Sequence, residues 1–232
     1  MEPLHLVRPM EVHENIEEKV VLIVNIIIMA KGYSYVVARD FGFAPNPFNG
    51  FLTLATCKPK IRKWAQVGDF VIGNANKQLN NKLIYMMKVT KKITFDDYWQ
   101  GAEYLCKRPV MNGSVKTMYG DNIYHHDESG KWVQEDSHHS LPKGKLNIYN
   151  LNRDTGETDA VLISTEFFYF GRNMVDVPLK FRRCLHRYIG QKKVSYEDCL
   201  ALWKYLEDNY PKNELIALPR QFNTFKRYDG KS

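Results

Sequence analysis

The stretch from Asp40 to Asn49, DFGFAPNPFN, constrains the fold of this chain more than any other segment. It lies between two strand-like runs, Tyr33–Ala38 and Phe51–Ala55. Pro45 and Pro47 each fix a φ angle and push the residue before them into an extended conformation. The sequence therefore predicts a stiff loop that holds its phenylalanines in place, rather than a flexible connection.

Short strands outnumber helices in the rest of the chain. Helices are predicted to begin at Pro59, after Thr94 and after Ser195, because proline is tolerated in the first turn and both hydroxyl residues are good helix caps. Further strand patterns occur at VGDFVIG (67–73), Lys82–Val89, Leu146–Leu151, Ala160–Ser164 and Phe167–Gly171. We expect an α+β fold, a mostly antiparallel curved sheet or a small β-barrel with flanking helices.

The segment between two of these strand patterns is predicted to be a turn. NRDTGETD (152–159) separates Leu146–Leu151 from Ala160–Ser164 and is rich in the residue types that favour turns. Asp154, Thr155 and Gly156 are expected at its tip.

Cysteine count and motifs exclude several classes of protein. The four cysteines, in a chain of 232 residues, include no CxxC pair. This pattern is poor for a disulfide framework or a zinc ribbon and is typical of the reducing cytoplasm. Neither GxGxxG nor GxxxxGK[ST] occurs, which argues against Rossmann and P-loop chemistry.

The distribution of charge indicates a possible partner. The formal net charge is +7, and Lys180–Ser232 holds 12 Lys/Arg against 6 Asp/Glu. A basic region of this kind can contact DNA or RNA through phosphates, and it can equally be an ordinary solvated surface.

Residues 1–28 differ from the rest of the chain. They carry five glutamates against Arg8 and Lys19 and end in the apolar run VVLIVNIII, which is too short to span a bilayer. We interpret them as an added first strand or an extension outside the core, which starts naturally at Met29, and we expect no membrane association. The core is then 29–178, and 179–232 is a basic helical part of the same domain.

The loop and the cations that follow it form the first candidate site. Phe43 offers a face for a nucleobase, Asn46 can read a base edge, and Lys58 and Arg62 can neutralise phosphate. Cys57 precedes four cations in six residues, so its thiolate is favoured and it is a candidate nucleophile. The structural alternative is that the aromatics close the end of the sheet and the cations face solvent.

A histidine-rich segment, Gly120–Ser140, forms the second candidate. His125 or His138 can act as a general acid or base, since imidazole titrates near neutral pH. The spacing of the segment matches no zinc motif, so no metal is predicted, and no cofactor is indicated by any motif. The residues that can ligate metal in principle are His125, His126, Asp127, His138 and His139. The alternative is that this segment is a polar loop held against the protein by its aromatic residues. Arg172, which follows Gly171, is a further candidate for the same cleft.

The long string DFGFAPNPFNG…CKPKIR, followed by GDNIYHHD, WVQEDSHHS and FFYFG, resembles the nucleotide modification associated domain 2 family over Lys31–Pro178. Members of this family are bacterial and phage proteins linked to enzymes that make modified nucleotides or bases. The resemblance implies two functional strips. The first comprises Asp40, Gly42, Phe43, Pro45, Asn46, Pro47, Cys57, Lys58, Pro59 and Arg62. The second comprises Tyr124, His125, Gln134, Ser137 and His138. The pair VGDFVIG…KLIYMMKV is also similar to the barrel of PUA- and EVE-like domains, which bind modified bases.

Three functions follow from these patterns. In the first, the two strips line one cleft that binds a nucleotide or modified base, and the basic C-terminal part adds affinity for DNA or RNA. In the second, the same cleft catalyses modification or hydrolysis of a nucleotide through a histidine, with Cys57 as nucleophile. In the third, the aromatic surface docks a partner enzyme. We favour binding, because the sequence contains no recognisable catalytic triad.

Overall fold

The computed structural model describes residues 31–231. The predicted extension, residues 1–28, and its apolar run lie outside the described residues. Within 31–231, every helix falls short of the length and apolar character that crossing a membrane requires.

A five-stranded sheet forms the centre of the described chain. In spatial order it consists of β10 (Gln191–Val194), β1 (Gly32–Val36), β3 (Phe70–Asn74), β4 (Leu83–Lys88) and β9 (Glu166–Tyr169). The pair β1–β3 is parallel and the other three pairs are antiparallel. The parallel pair requires a crossover, and the stiff loop lies within it.

Two smaller antiparallel sheets accompany the first. One has the order β2 (Leu52–Leu54), β8 (Val161–Ser164) and β5 (Lys91–Ile93). The other is a hairpin of β6 (Tyr124–His126) and β7 (Trp132–Gln134).

The helices lie between and outside the sheets. The α-helices are Pro59–Trp64, Phe95–Gln100, Val115–Met118, Ile148–Thr155 and Tyr196–Asn209. Short 3₁₀ helices cover Lys77–Leu79, Ala102–Lys107, Pro142–Gly144, Gly171–Asn173 and Leu179–Cys184.

The alternation of side chains along the strands produces three apolar layers. Tyr35 and Val71 point from the central sheet towards the layer that contains Leu52 and Leu162. On the opposite face of that sheet, Phe70 packs with Trp203 and other residues of the helix Tyr196–Asn209. A third cluster, which includes Phe43, Ile163 and Tyr124, fills the far side of the small sheet. The stiff loop thus connects the layers and is buried rather than free in solvent.

The prediction of an α+β fold with mainly antiparallel strands is confirmed. Thr94 caps its helix through a reciprocal capping box with Asp97, and the Ser195 hydroxyl accepts from the backbone N–H of Asp198. The small barrel is not observed, because the strands described in 31–231 form three separate sheets.

The predicted strand Leu146–Leu151 and the hairpin turn after it are wrong. Ile148–Thr155 is a helix, capped by the side chain of Asn147, which accepts from the backbone N–H groups of Tyr149 and Asn150. The apolar residues of this segment were too few to separate a strand from one face of a short helix. As a result Asp154 lies in the last turn of a helix that packs into the protein.

Candidate functional site

A sharp turn presents the thiol of Cys57 at the end of β2. Cys57 and Lys58 have φ angles of 56° and 42°, the left-handed region that non-glycine residues seldom occupy. Pro59 then begins a short helix. Two consecutive residues in this region persist only where surrounding contacts hold them, and such sites concentrate where function requires a fixed side chain.

The contacts that hold the turn come from Arg62 and Asp154. The Arg62 guanidinium donates to the backbone carbonyls of Cys57 (2.7 Å), Ala160 (2.7 Å) and Asp154. The backbone N–H of Cys57 donates to Asp154 Oδ1 at 2.9 Å. Arg62 has an exposed fraction of 0%, so its charge is used to join backbone segments.

His139 is fixed by a tight turn and by its backbone. The hydroxyl of Ser137 accepts from the backbone N–H of His139 at 3.3 Å. The carbonyl of His139 accepts from the side-chain amides of Gln134 (3.2 Å) and Asn150 (2.8 Å). These contacts leave the imidazole as the part of His139 that can interact with Cys57.

Asp154 is buried and fully hydrogen-bonded. Oδ2 accepts from His139 Nδ1 at 2.8 Å and from the Tyr124 hydroxyl at 3.0 Å. Oδ1 accepts from Arg153 Nε and from the backbone N–H of Cys57, both at 2.9 Å. Burial alone would raise the pKa of the Asp154 carboxyl, but His139 and Arg153 outweigh it, and the pKa lies well below its usual range.

Cys57, His139 and Asp154 therefore form a continuous series. Cys57 Sγ lies 3.9 Å from His139 Nε2, and the other ring nitrogen of His139 is bound to Asp154. Burial opposes ionisation of the thiol, but the His139 charge and hydrogen bond outweigh it, so the pKa of Cys57 lies below its ordinary value. Burial likewise opposes protonation of His139, but Asp154 and Cys57 outweigh it and raise the pKa of that imidazole. Both shifts favour a thiolate–imidazolium pair, the activated state of a cysteine nucleophile.

The series lies at a cavity of about 520 Å³. A volume of this size is typical of sites for small organic ligands. Its aromatic lining residues are Tyr35, Phe41, Phe43 and Tyr228, and its cationic ones are Arg39, Lys58, Lys60 and Arg153. No carboxylate side chain lines it among the described residues. The cavity thus combines flat apolar surfaces with positive charge beside a nucleophile.

The same three side chains present donor atoms that lie within 4.8 Å of one another, as in a metal site. Thiolate, imidazole and carboxylate are ligand types of zinc. However, Oδ1 of Asp154 already accepts two hydrogen bonds and Oδ2 accepts three, and the Arg153 guanidinium donates to both oxygens. A cation there would compete with Arg153 and displace His139 from its partner, so the arrangement suits a nucleophile better than a metal.

The structure brings five of the predicted residues to the cavity: Cys57, Lys58, Pro59, Phe43 and His138. The Phe43 ring centroid lies 4.9 Å from that of His138 and 4.5 Å from that of His139, so the loop and the histidine segment meet there. Lys58 Nζ lies 4.6 Å from the Tyr35 ring centroid. Burial, assisted by the charge of His139, lowers the pKa of His138 to about 3, so this imidazole stays neutral.

Three predicted residues of the second strip support the site from behind. Tyr124 and Gln134 are buried and connected, since Gln134 Nε2 donates to the Tyr124 hydroxyl at 3.2 Å. Ser137 binds the backbone of His139, as described above. None of the three lines the cavity.

The remaining predicted residues lie outside the cavity lining. Asp40 accepts from the Tyr169 hydroxyl at 2.6 Å, and the side-chain oxygen of Asn46 accepts from Lys107 Nζ at 2.8 Å. His125 contacts Glu135 at 2.9 Å and stacks on Trp99. Arg172 is exposed after β9. Arg62, as shown above, binds backbone carbonyls.

Sequence reasoning missed the partners that complete the site. His139 was considered only as a metal ligand, and Asp154 only as a turn residue. Arg39 directly precedes the predicted loop and was not singled out, and Arg153 and Tyr228 come from segments without a motif. The one signal available in the sequence was the pair His138-His139. Adjacent side chains usually face different surroundings, so either histidine could have been the one beside Cys57.

Comparison with known proteins identifies one family. Residues 29–226 match the family described as nucleotide modification associated domain 2. No curated protein and no solved structure matches the chain. The match covers the residues of the cavity apart from Tyr228.

Proposed function

We propose, from the premise that this chain belongs to the nucleotide modification associated domain 2 family, that the cavity binds a nucleotide and that Cys57 attacks it. The observation that carries the proposal is the series Cys57–His139–Asp154 beside the cavity, with Sγ 3.9 Å from Nε2 and Nδ1 2.8 Å from the carboxylate. A nucleophile, a base and a group that orients the base are the parts of a cysteine-dependent enzyme.

The lining of the cavity supports a nucleotide as ligand. Phe43 and Tyr228 present ring surfaces on which a base can stack. Lys60 and Arg153 supply positive charge for phosphate. Because carboxylates are lacking among the described lining residues, the four lining cations are not neutralised by acidic neighbours in the cavity wall.

The chemistry that fits this arrangement is hydrolysis at a carbonyl or amidine carbon through an intermediate that is bound to Cys57. His139 Nε2 takes the proton of Cys57, and Sγ forms a bond to the electrophilic carbon while the C=O or C=N π electrons move to the heteroatom. When the double bond re-forms, the leaving amine or alcohol departs with the proton from His139. Water, deprotonated by the neutral imidazole, then attacks the same carbon; the C–S bond breaks, the hydrolysed product leaves, and the thiolate regains its proton from the His139 imidazolium. Asp154 keeps the imidazole oriented and stabilises its cationic form.

The test uses nucleotide panels and two matched variants. Purified protein is incubated with nucleoside monophosphates that carry ordinary or modified bases, and products are followed by mass spectrometry. We expect conversion by the wild type, loss of conversion with retained binding in Cys57→Ala, and unchanged conversion in Cys106→Ala, which removes an exposed cysteine outside the cavity. Binding is measured as a rise in Tm. If nucleotides bind and none is converted, the catalytic part of the proposal is wrong and a binding protein remains.

A further inference from the structure

A second cavity, of about 470 Å³, lies next to the first. Val36, Ala38 and Lys58 line both cavities, so the two share one wall. A ligand that extends past Lys58 from the first cavity therefore enters the second directly.

The combined lining is strongly cationic. Lys77 and Arg187 line the second cavity, Lys58 lines both, and three further cations line the first. No Asp or Glu side chain of the described residues lines either one. A nucleoside monophosphate carries a single phosphate group, whereas a nucleic-acid strand brings one phosphate for every nucleotide. Six cations spread over two adjoining cavities fit a strand better than a free mononucleotide.

The outer rim of the second cavity presents an exposed aromatic residue. Tyr188 has an exposed fraction of 77%, and the next residue, Ile189, is fully exposed. The base of this turn is firmly attached to the central sheet: Asn74 Nδ2 donates to the carbonyl of His186 at 2.7 Å, and the backbone N–H of His186 donates to Asn74 Oδ1 at 2.9 Å. An exposed ring on a fixed turn beside phosphate-binding cations is typical of single-strand binding surfaces.

The concave first cavity excludes a stacked and paired base from the Cys57 thiol, and a single strand presents an unpaired base at the least cost. Cys57 is only partly exposed, and the flat rings of Phe43 and Tyr228 lie in the cavity beside it. A base can reach the thiol only if it has left its stack and its pairing partner.

We propose that the substrate is a nucleotide within single-stranded nucleic acid. Its base enters the cavity at Cys57, and the flanking nucleotide crosses Lys58 into the second cavity, where Lys77 and Arg187 bind phosphate and Tyr188 stacks on a base. This inference rests on the proposed function and adds the class of substrate.

The experiment compares strand binding with mononucleotide binding. Fluorescent 12-residue single strands of DNA and RNA are titrated by anisotropy across a salt series, with wild type, Lys77→Ala/Arg187→Ala and Lys180→Ala/Arg182→Ala. The last variant is the control. It also removes one lysine and one arginine, but both lie in the basic C-terminal part and outside the two cavities. We expect the first variant to weaken strand binding and to reduce the slope of log K against log salt by about 1.4, roughly 0.7 for each lost phosphate contact. The control variant should keep most of the slope. In Tyr188→Ala the affinity should fall about fivefold or more with an unchanged slope.

A second measurement separates this inference from the proposed function. Protection of Cys57 from iodoacetamide by nucleoside monophosphates should be the same in Lys77→Ala/Arg187→Ala and wild type, while protection by single strands should be weaker in that variant. If mononucleotides protect Cys57 as well as strands do in the wild type, or if the control variant loses as much strand affinity as Lys77→Ala/Arg187→Ala, the inference is wrong and the proposed function stands. If neither ligand protects Cys57, the proposed function itself fails. Circular dichroism of each variant shows whether it is folded.

Discussion

His138 and His139 lie side by side, with ring centroids 5.3 Å apart, and their pKa values are displaced in opposite directions. His138 is buried beside His139, and within residues 31–231 no hydrogen bond joins its ring to a carboxylate. Its Nδ1 contacts the carbonyl of Lys226. His139 has Asp154 on one nitrogen and Cys57 near the other. Two consecutive residues of one type thus occupy two different electrostatic environments.

This difference predicts which histidine activates the thiol. Replacing His139 removes the charge that lowers the pKa of Cys57, so in His139→Ala the alkylation of Cys57 by iodoacetamide at pH 6 should slow, because less of the thiol is ionised at that pH. His138→Ala should change that rate far less. The rates are measured by mass spectrometry of the Cys57 peptide. Equal slowing in both variants would contradict the assignment.

The pH dependence of alkylation follows from the lowered pKa of Cys57. An ordinary thiol loses its thiolate below its pKa of about 8.5. Because His139 depresses the pKa of Cys57, its alkylation should stay on a plateau below that pH and fall only at more acidic pH. Free cysteine, alkylated in the same buffers, serves as the reference. If the pH profile of Cys57 alkylation has the same midpoint as that of free cysteine, the prediction is wrong.

Asp154 is expected to matter for stability as well as for orientation. In Asp154→Ala, Arg153, His139 and the Cys57 N–H lose their acceptor inside the protein, and breaking a buried ion pair of this kind costs about 3–5 kcal/mol. The matched control is Asp176→Ala, which removes an exposed ion pair with Lys82 and should cost less than about 1 kcal/mol. Urea unfolding measures both.

The stabilisation by Asp154 should depend on pH. The pKa of Asp154 is lower in the folded protein than in the unfolded chain, so its contribution is present above the ordinary pKa of about 3.9. It is lost as the pH falls below that value. The stability difference between wild type and Asp154→Asn should therefore shrink on acidification. A difference that grows towards low pH would contradict the ion-pair assignment.

Arg62 should act on folding rather than on phosphate. Lysine at this position cannot reach three separate carbonyls in a fixed geometry, and hydrogen bonds to charged groups contribute about 1.5–3 kcal/mol each. Arg62→Lys should therefore lower the free energy of unfolding by several kcal/mol. Lys60→Ala, at an exposed cation of the cavity, should instead leave stability nearly unchanged and weaken nucleotide binding. If Arg62→Lys is as stable as wild type, the interpretation of the turn is wrong.

A chelator distinguishes the nucleophile from a metal site. Both oxygens of Asp154 already have at least two donors each, so EDTA should change neither the Tm nor the alkylation rate of Cys57 by more than the error of measurement. Added Zn²⁺, which binds thiolates, should slow alkylation only at concentrations well above those of a structural site. A fall of the Tm on chelation would favour the metal.

The strands and caps were predictable from local pattern, and the site was predictable only in part. Alternation located β1, β3 and β4, and the hydroxyls of Thr94 and Ser195 marked two helix starts, because these signals act within a few residues. Cys57 was found through the cations that follow it. Asp154 was missed because NRDTGETD has the composition of a turn, while its conformation is set by the packing of the helix Ile148–Thr155. Arg62 was predicted to bind phosphate, because the sequence around a cation on a short helix does not show whether its side chain is buried.

The reactivity of the Cys57 thiol should also change while the chain folds. His139 and Asp154 are separated from Cys57 by 82 and 97 positions along the chain, so their contacts require long loops to close and are expected to form late. Until then Cys57 has the reactivity of any free cysteine at neutral pH. A pulse of alkylating reagent during refolding would therefore time the arrival of these distant partners, and the protein carries its own folding reporter without an added label.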